Sequence, residues 1–300
     1  VGEIAEALRK ANQAVDANDP SNEAPGLRHN EETSGEITAA LSRAQADEAG
    51  TLPPDTGDDR KAAPATPQAP PETTPVIPAN LGEVIFHVER HRHLGLRLRT
   101  EMDRTGGRTL AVVSAVRNEG KSIVSCNIAA AIASLSSERS VALVDLDLRN
   151  PSIAAMLQIS VPVGIEQVLL GRAKLEDTCI SLREPEIDVY PCAQPHRAAH
   201  ELLVLPAFER FIRDLESRYA AVIIDTPPAL LVPDSTIIMR SASYCVAVAR
   251  AGKTRVHRFS EMIERLPQDK LLGKVINNVP LPSHAKGDEY YYYYANEDEL

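Results

Sequence analysis

The chain has 300 residues, 43% of them hydrophobic and 4% aromatic, and a formal net charge of −10. The acidity sits at the ends: residues 1–80 carry −8 and residues 287–300 carry −5, which leaves +3 for the middle. So balanced a middle argues against a nucleic-acid-binding protein, and no apolar run approaches the roughly 20 residues that a membrane span needs.

Residues 3–16 place Ile4, Leu8, Ala11 and Val15 on one helical face, a short amphipathic helix that is marginal on its own. From Asp19 to about Asn80 the composition is that of a linker. Residues 1–80 hold ten of the 22 prolines and 14 acidic against 6 basic residues, too little apolar surface to offset chain entropy, so most of this region is expected to be disordered. Residues 83–103 read as a strongly basic helix with Arg90, Arg92, Arg97 and Arg99, and Arg104 just beyond. His87, His91 and His93 lie among these arginines and read as part of a solvated face rather than as a metal site.

Strands and helices then alternate. Strands are expected at 109–114, 140–145, 187–191, 221–225, 244–249 and 272–276, and helices at 121–135 and 206–219. Continuous β-branched runs such as Val222, Ile223 and Ile224 mark strands buried on both faces. The alternation predicts an α/β fold, a doubly wound and mostly parallel sheet of the P-loop type, over residues 81–282. In such sheets ligands bind at the carboxyl ends of the strands. Four widely spaced cysteines (Cys126, Cys179, Cys192 and Cys245) form no C-x-x-C pair and fit small apolar packing in an intracellular protein.

Three motifs lie at those strand ends. Ala115 to Ser122 matches a phosphate-binding P-loop except that Ala115 replaces the leading glycine. Backbone N–H groups of Asn118, Glu119, Gly120, Lys121, Ser122 and Ile123 are candidates to cradle the phosphates of ATP. Lys121 would contact the terminal phosphates and Ser122 would ligate Mg²⁺. Asn118 tolerates a left-handed backbone and Gly120 permits close approach. The second motif ends a strand with Asp145 and Asp147, carboxylates suited to Mg²⁺ or to accepting a proton from an attacking hydroxyl. The third ends a strand with Asp225, followed by Thr226, Pro227 and Pro228, in the form of a Walker B motif. At the far end Tyr290, Tyr291, Tyr292, Tyr293 and Tyr294 form five of the eight tyrosines, within an acidic tail over 283–300 that is expected to be flexible and open to phosphorylation.

From about Glu89 to Asn278, and again in the tyrosine tail, the chain resembles the bacterial tyrosine autokinases of exopolysaccharide and capsule biosynthesis. The segment Val144 to Pro151 is similar to the extra Walker A′ motif of that family. Gly164 to Gly171, Glu201 to Leu203, Asp225 to Pro228, Gly252 to Thr254 and Gly273 to Asn277 follow in family order. The resemblance implies a protein-tyrosine kinase that phosphorylates its own tail, mainly between subunits of a ring-like homo-oligomer. Lys121 and Ser122 would act on ATP and Mg²⁺, Asp145 and Asp147 in metal binding and tyrosine deprotonation, and Asp225 in the metal site. It further implies a membrane chain-length-determining co-polymerase as activator, an opposing tyrosine phosphatase, and a cytoplasmic location at the inner face of the plasma membrane. Partitioning and septum-positioning ATPases share this fold, but their signature lysine position is Val116 here, and they have no reason for five consecutive tyrosines. The family's Glu-x-x-Arg-x-x-Arg helix is matched at Glu89 and Arg92, with Gly95 in place of the last arginine, and Ala198 and Ala199 replace the usual Asn-Pro before Glu201.

Overall fold

The computed structural model describes residues 6–10, 12–13, 88–135 and 140–279. The chain divides into two units, Val1–Asn18 with Pro75–Leu300 and Asp19–Thr74, and every described residue belongs to the first. The proline-rich linker, His87 and the tyrosine run Tyr290–Tyr294 lie outside the described residues.

Seven strands form one sheet in the order β3-β4-β2-β5-β1-β6-β7. They are β1 (Thr109–Ser114), β2 (Val141–Asp145), β3 (Ile180–Ser181), β4 (Asp188–Tyr190), β5 (Ala221–Asp225), β6 (Tyr244–Arg250) and β7 (Leu271–Asn277). Only β3 runs antiparallel to its neighbour. The expected parallel sheet is present, with β3 as an added edge strand. Every residue of β1, β2 and β5 is buried, as their unbroken apolar runs require.

Residues alternate between the two faces of the sheet. Leu110 and Val112 join one apolar cluster, while Ala111 and Val113 join the other. On the first face lies α2 (Lys121–Ala133), buried along nearly its whole length because α1 (Val88–Thr105) covers its outer side. Between β2 and β4 come two short helices, α3 (Ile153–Met156) and α4 (Ile165–Leu169). The second face is covered by α5 (Ala199–Leu203), α6 (Pro206–Arg218), α7 (Asp234–Ser241) and α8 (Val256–Arg265), through side chains such as Phe208, Phe211, Phe259 and Met262. No helix among the described residues is long and apolar enough to cross a membrane.

Gly95 has a physical reason for its departure from the family pattern. A Cβ built there would lie 2.7 Å from Ala131 Cβ and 3.2 Å from the Ala131 carbonyl carbon. The helices α1 and α2 therefore approach backbone to side chain at this point, and no side chain fits between them. Gly95→Arg, which would complete the family spacing, is expected to lower stability by about 1–3 kcal/mol through overpacking. Urea unfolding reads this directly, and an unchanged midpoint would show that α1 can lift from α2 without cost.

The amino-terminal segment is not a frayed end. Residues 6–10 and 12–13 are helical, and Leu8 is completely buried in the cluster shared with α6, α7 and α8.

Candidate active site

Three adjacent strands, β2, β5 and β1, bring their carboxyl ends together. Asp145 stands directly opposite Asp225 in the register of β2 and β5. The turn after β1 carries the phosphate-loop sequence into α2. Asn118 (φ 62) adopts the left-handed conformation that its residue type tolerates, and Gly120 (φ 88) is left-handed as well. A side chain on Gly120 would displace the Asn277 amide, which donates to the Glu119 carbonyl.

Lys121 Nζ lies 3.1 Å from Asp147 Oδ2 and 3.4 Å from Asp225 Oδ2. Ser122 Oγ donates to Asp225 Oδ2 at 2.6 Å, and Ser125 Oγ donates to Asp225 Oδ1 at 3.2 Å. Ser152 Oγ donates to Ser122 Oγ at 2.9 Å. Lys121, Ser122, Asp145, Asp147 and Asp225 thus form one cluster. Above it opens a cavity of 360 Å³ lined by the phosphate loop, Asp147, Arg149, Ser152, Pro227 and Pro228 among others.

The two carboxylates of the second motif have separate surroundings. Asp145 is fully buried and its oxygens are taken by backbone: Oδ1 accepts from Asp147 N (3.2 Å), and Oδ2 from Ser152 N (2.9 Å) and Ile153 N (3.0 Å). It holds the turn between β2 and α3 in shape. Asp147 reaches the cavity, with Oδ1 accepting from Asn150 N at 3.2 Å and Oδ2 facing Lys121. Arg149 joins this turn to α7, its Nε donating to Asp234 Oδ2 at 2.6 Å.

Burial is the largest influence on each charge. It pushes the Asp145 carboxyl up to about 7, with the Asp225 charge adding to the shift and the backbone donors and Lys121 opposing it. Asp147 and Asp225 are also raised by burial, against the pull of Lys121. Burial lowers Lys121, but Asp225, Asp147 and Asp145 together more than reverse this and the net shift is upward. With Asp145 raised above its unfolded value, the native state binds the extra proton between about pH 4 and 7. Stability of the nucleotide-free chain therefore falls as pH rises through that window. Relative to Asp145→Asn, the wild type should lose stability between pH 5 and 7, at up to about 1.36 kcal/mol per pH unit, and level off above. Urea unfolding at a series of pH values measures it, and parallel profiles for the two proteins would contradict the assignment.

One lysine faces three buried carboxylates, an excess of negative charge that a divalent cation would offset. Among the described residues no group of three or more His, Cys, Asp or Glu side chains is arranged to hold a metal. Mg²⁺ takes one or two protein oxygens together with phosphate oxygens and water. Ser122 and Asp225, 2.6 Å apart, fit this role.

Several residues support the site from behind the cavity. Glu119 is buried, and its carboxylate does not face the cavity. It accepts from Val116 N at 2.7 Å and from the Thr254 hydroxyl. Its contribution to the loop's open side is thus its backbone, while its side chain braces the loop from behind. Asn277 Nδ2 donates to the Glu119 carbonyl at 3.1 Å, and Arg250 Nη1 donates to the Asn118 carbonyl at 3.2 Å. Ser152, next to Pro151 of the second motif, was findable by its place; Ser125, one helical turn after Lys121, was findable by its spacing.

No protein-family model matches the chain. Over 195 residues it is 30% identical to the tyrosine-protein kinase YwqD of Bacillus subtilis, covering 64% of this chain and 80% of that protein. Over 194 residues it is 29% identical to the tyrosine-protein kinase etk of Escherichia coli, covering 64% of this chain but only 26% of that longer protein. The solved kinase domain of Escherichia coli tyrosine kinase ETK superposes with a TM-score of 0.61 at 28% identity, covering 67% of this chain and 80% of that one. With its P-loop, its paired aspartate strands and these relatives, the chain belongs to the family of bacterial tyrosine-protein kinases.

Proposed function

We propose that the chain transfers the terminal phosphoryl group of ATP to its own carboxyl-terminal tyrosines, Tyr290–Tyr294. What carries the proposal is the position of Asp147, in the cavity beside Lys121 at 3.1 Å, in a chain with five consecutive tyrosines at 290–294.

The backbone of Asn118 to Ile123 binds the phosphates, and Lys121 leaves its carboxylate partners to meet the terminal phosphate oxygens. Ser122 and Asp225 would hold Mg²⁺, with Asp147 beside them as a further carboxylate, and the ion would offset negative charge on the phosphates. Asp147 also orients the tyrosine hydroxyl and accepts its proton as the phenolic oxygen bonds to phosphorus and the bond to the ADP oxygen breaks. Asp145 positions Asp147 through the turn that it holds. Pro227 and Pro228 form one wall and limit water.

From Asn277 to Tyr290 is 13 residues, a reach of at most about 47 Å at 3.6 Å per residue. That permits delivery to the site of a neighbouring copy, and a homo-oligomer with exchange of tails is part of the proposal. So are activation by the cytosolic end of a membrane co-polymerase, which would bring the kinase to the inner face of the plasma membrane, and resetting by a tyrosine phosphatase. Each phosphate adds nearly two negative charges at neutral pH to an already acidic tail. Repulsion between such tails would loosen the oligomer and so regulate polysaccharide polymerisation or export.

The test is incubation of the purified chain with Mg-ATP, with and without the cytosolic segment of a candidate co-polymerase, followed by peptide mass spectrometry. Phosphate on Tyr290–Tyr294 is the expected result. ATP hydrolysis with no tyrosine phosphate under either condition would instead assign the chain a positioning-type ATPase activity.

A further inference from the structure

The phosphate loop is braced from behind by the turn between β6 and α8, and that turn is held in its own right by the amino-terminal helical segment. Asn12 Oδ1 accepts from Gly252 N at 2.6 Å, and Asn12 Nδ2 donates to the Thr254 carbonyl at 3.2 Å. Both polar ends of one side chain therefore clamp a turn whose Gly252 has a left-handed φ of 71. Thr254 Oγ1 accepts from Arg250 N at 2.7 Å, which leaves its single proton for Glu119. Glu119 in turn accepts from Val116 N at the start of the phosphate loop. Leu8, one helical turn before Asn12 and 0% exposed, anchors the segment in the core.

We infer that Asn12 is a positioning residue for ATP binding, acting through Thr254 and Glu119 to set the conformation of the phosphate loop. The inference rests on that loop being the ATP site. Its physical basis is the poor tolerance of a buried carboxylate for a lost donor. Glu119 is 1% exposed and depends on Thr254 and the loop's own N–H groups to satisfy it. When Asn12 releases the turn, Thr254 keeps only its bonds to Arg250, at 2.9 Å from its N–H and 2.7 Å to its hydroxyl, is held less firmly against Glu119, and the carboxylate draws on the loop for other donors. Loop N–H groups that should face phosphate then turn inward. The amino-terminal segment thereby links its own docking to nucleotide affinity: whatever displaces Leu8 and Asn12 weakens ATP binding from behind the site, with no contact to the nucleotide.

The experiment compares the full chain with Asn12→Ala, Thr254→Val, the double variant and Leu8→Asp. Affinity for Mg-ATP is titrated with a fluorescent ATP analogue, tail phosphorylation is timed across ATP concentrations, and melting is recorded without nucleotide. Asn12→Ala is expected to weaken Mg-ATP binding roughly three- to tenfold, the equivalent of about one hydrogen bond. It should raise KM by the same factor and leave kcat unchanged, the sign of altered binding rather than altered chemistry. Thr254→Val should weaken binding at least as much, with no further loss in the double variant because the two act in series. Leu8→Asp, which expels the segment by burying a charge, should match Asn12→Ala in affinity. Asn12→Ala that binds Mg-ATP as the unmodified chain does, whatever its melting temperature, would overturn the inference and leave the segment a structural cover. Absence of Mg-ATP binding in the unmodified chain would overturn the ATP-site assignment itself, and this inference with it.

Discussion

Lys121→Met is expected to slow phosphoryl transfer to the tail by about 100- to 1,000-fold, the usual loss when one preorganised charge is removed from a transition state. Methionine keeps the length and apolar stem of the side chain and removes only the charge. In the free protein that charge sits 3.1 Å from Asp147 and 3.4 Å from Asp225 and is almost wholly buried. Its loss leaves three carboxylates with no buried cation, so the protein should respond in two ways. The nucleotide-free form is expected to bind protons more tightly at Asp147 and Asp225, because burial already raises both and Lys121 is the largest influence opposing it. Removing one partner of a buried ion pair also costs about 3–5 kcal/mol, so rates are to be compared at a temperature where both proteins are folded. Initial rates of tail labelling from radioactive ATP measure the effect. A loss below tenfold in folded protein would mean that Lys121 serves the carboxylates rather than the phosphate.

Asp147→Asn and Asp145→Asn are expected to fail differently. Asparagine at 147 keeps the shape of the side chain but has no basicity. Transfer at saturating ATP should fall about 100- to 10,000-fold, the range for a lost general base, while nucleotide affinity changes little. Asparagine at 145 presents a single oxygen to backbone donors that now share two, since Asp147 N meets one oxygen and Ser152 N and Ile153 N the other. At least one of those donors is left facing an amide, at a cost of about 1–3 kcal/mol, and the turn that carries Asp147 loosens. Asp145→Asn should therefore lower stability first and activity through it, with partial recovery of rate at low temperature. Urea unfolding and kcat measured on both variants separate the two roles. Full stability with lost transfer in Asp145→Asn would exchange the assignments.

The parts of the fold that could be read from sequence are those fixed by local chemistry. β1 and β5 are legible because apolar residues run unbroken up to a polar carboxyl end, Ser114 or Asp225, and the phosphate loop because its spacing is dictated by what it must cradle. Residues 256–265, outside the helices expected from sequence, carry Phe259, Met262 and Ile263 at helical spacing and form α8. By contrast β3 has two residues, too few for any periodicity to show. The amphipathic pattern of residues 3–16 indicates a helix but not its docking place, since that is set by the distant turn at Gly252 and Thr254 that Asn12 meets. Asp145 and Asp147 look equivalent in sequence. Their difference arises where the chain folds back at Ser152 and Ile153, whose backbone donors capture one carboxylate and leave the other to the cavity. Glu119 was readable as part of the loop, and its inward turn was not, because its partner Thr254 lies 135 residues away.

The most direct test of the account is a single turnover with ATP below the protein concentration, in which ADP, free phosphate and tyrosine-bound phosphate are counted together. If the cavity delivers phosphate to tyrosine, each ADP formed is matched by a phosphate on Tyr290–Tyr294 and little is released to water. ADP matched instead by free phosphate, with the tail unlabelled, would contradict the account and leave an ATPase.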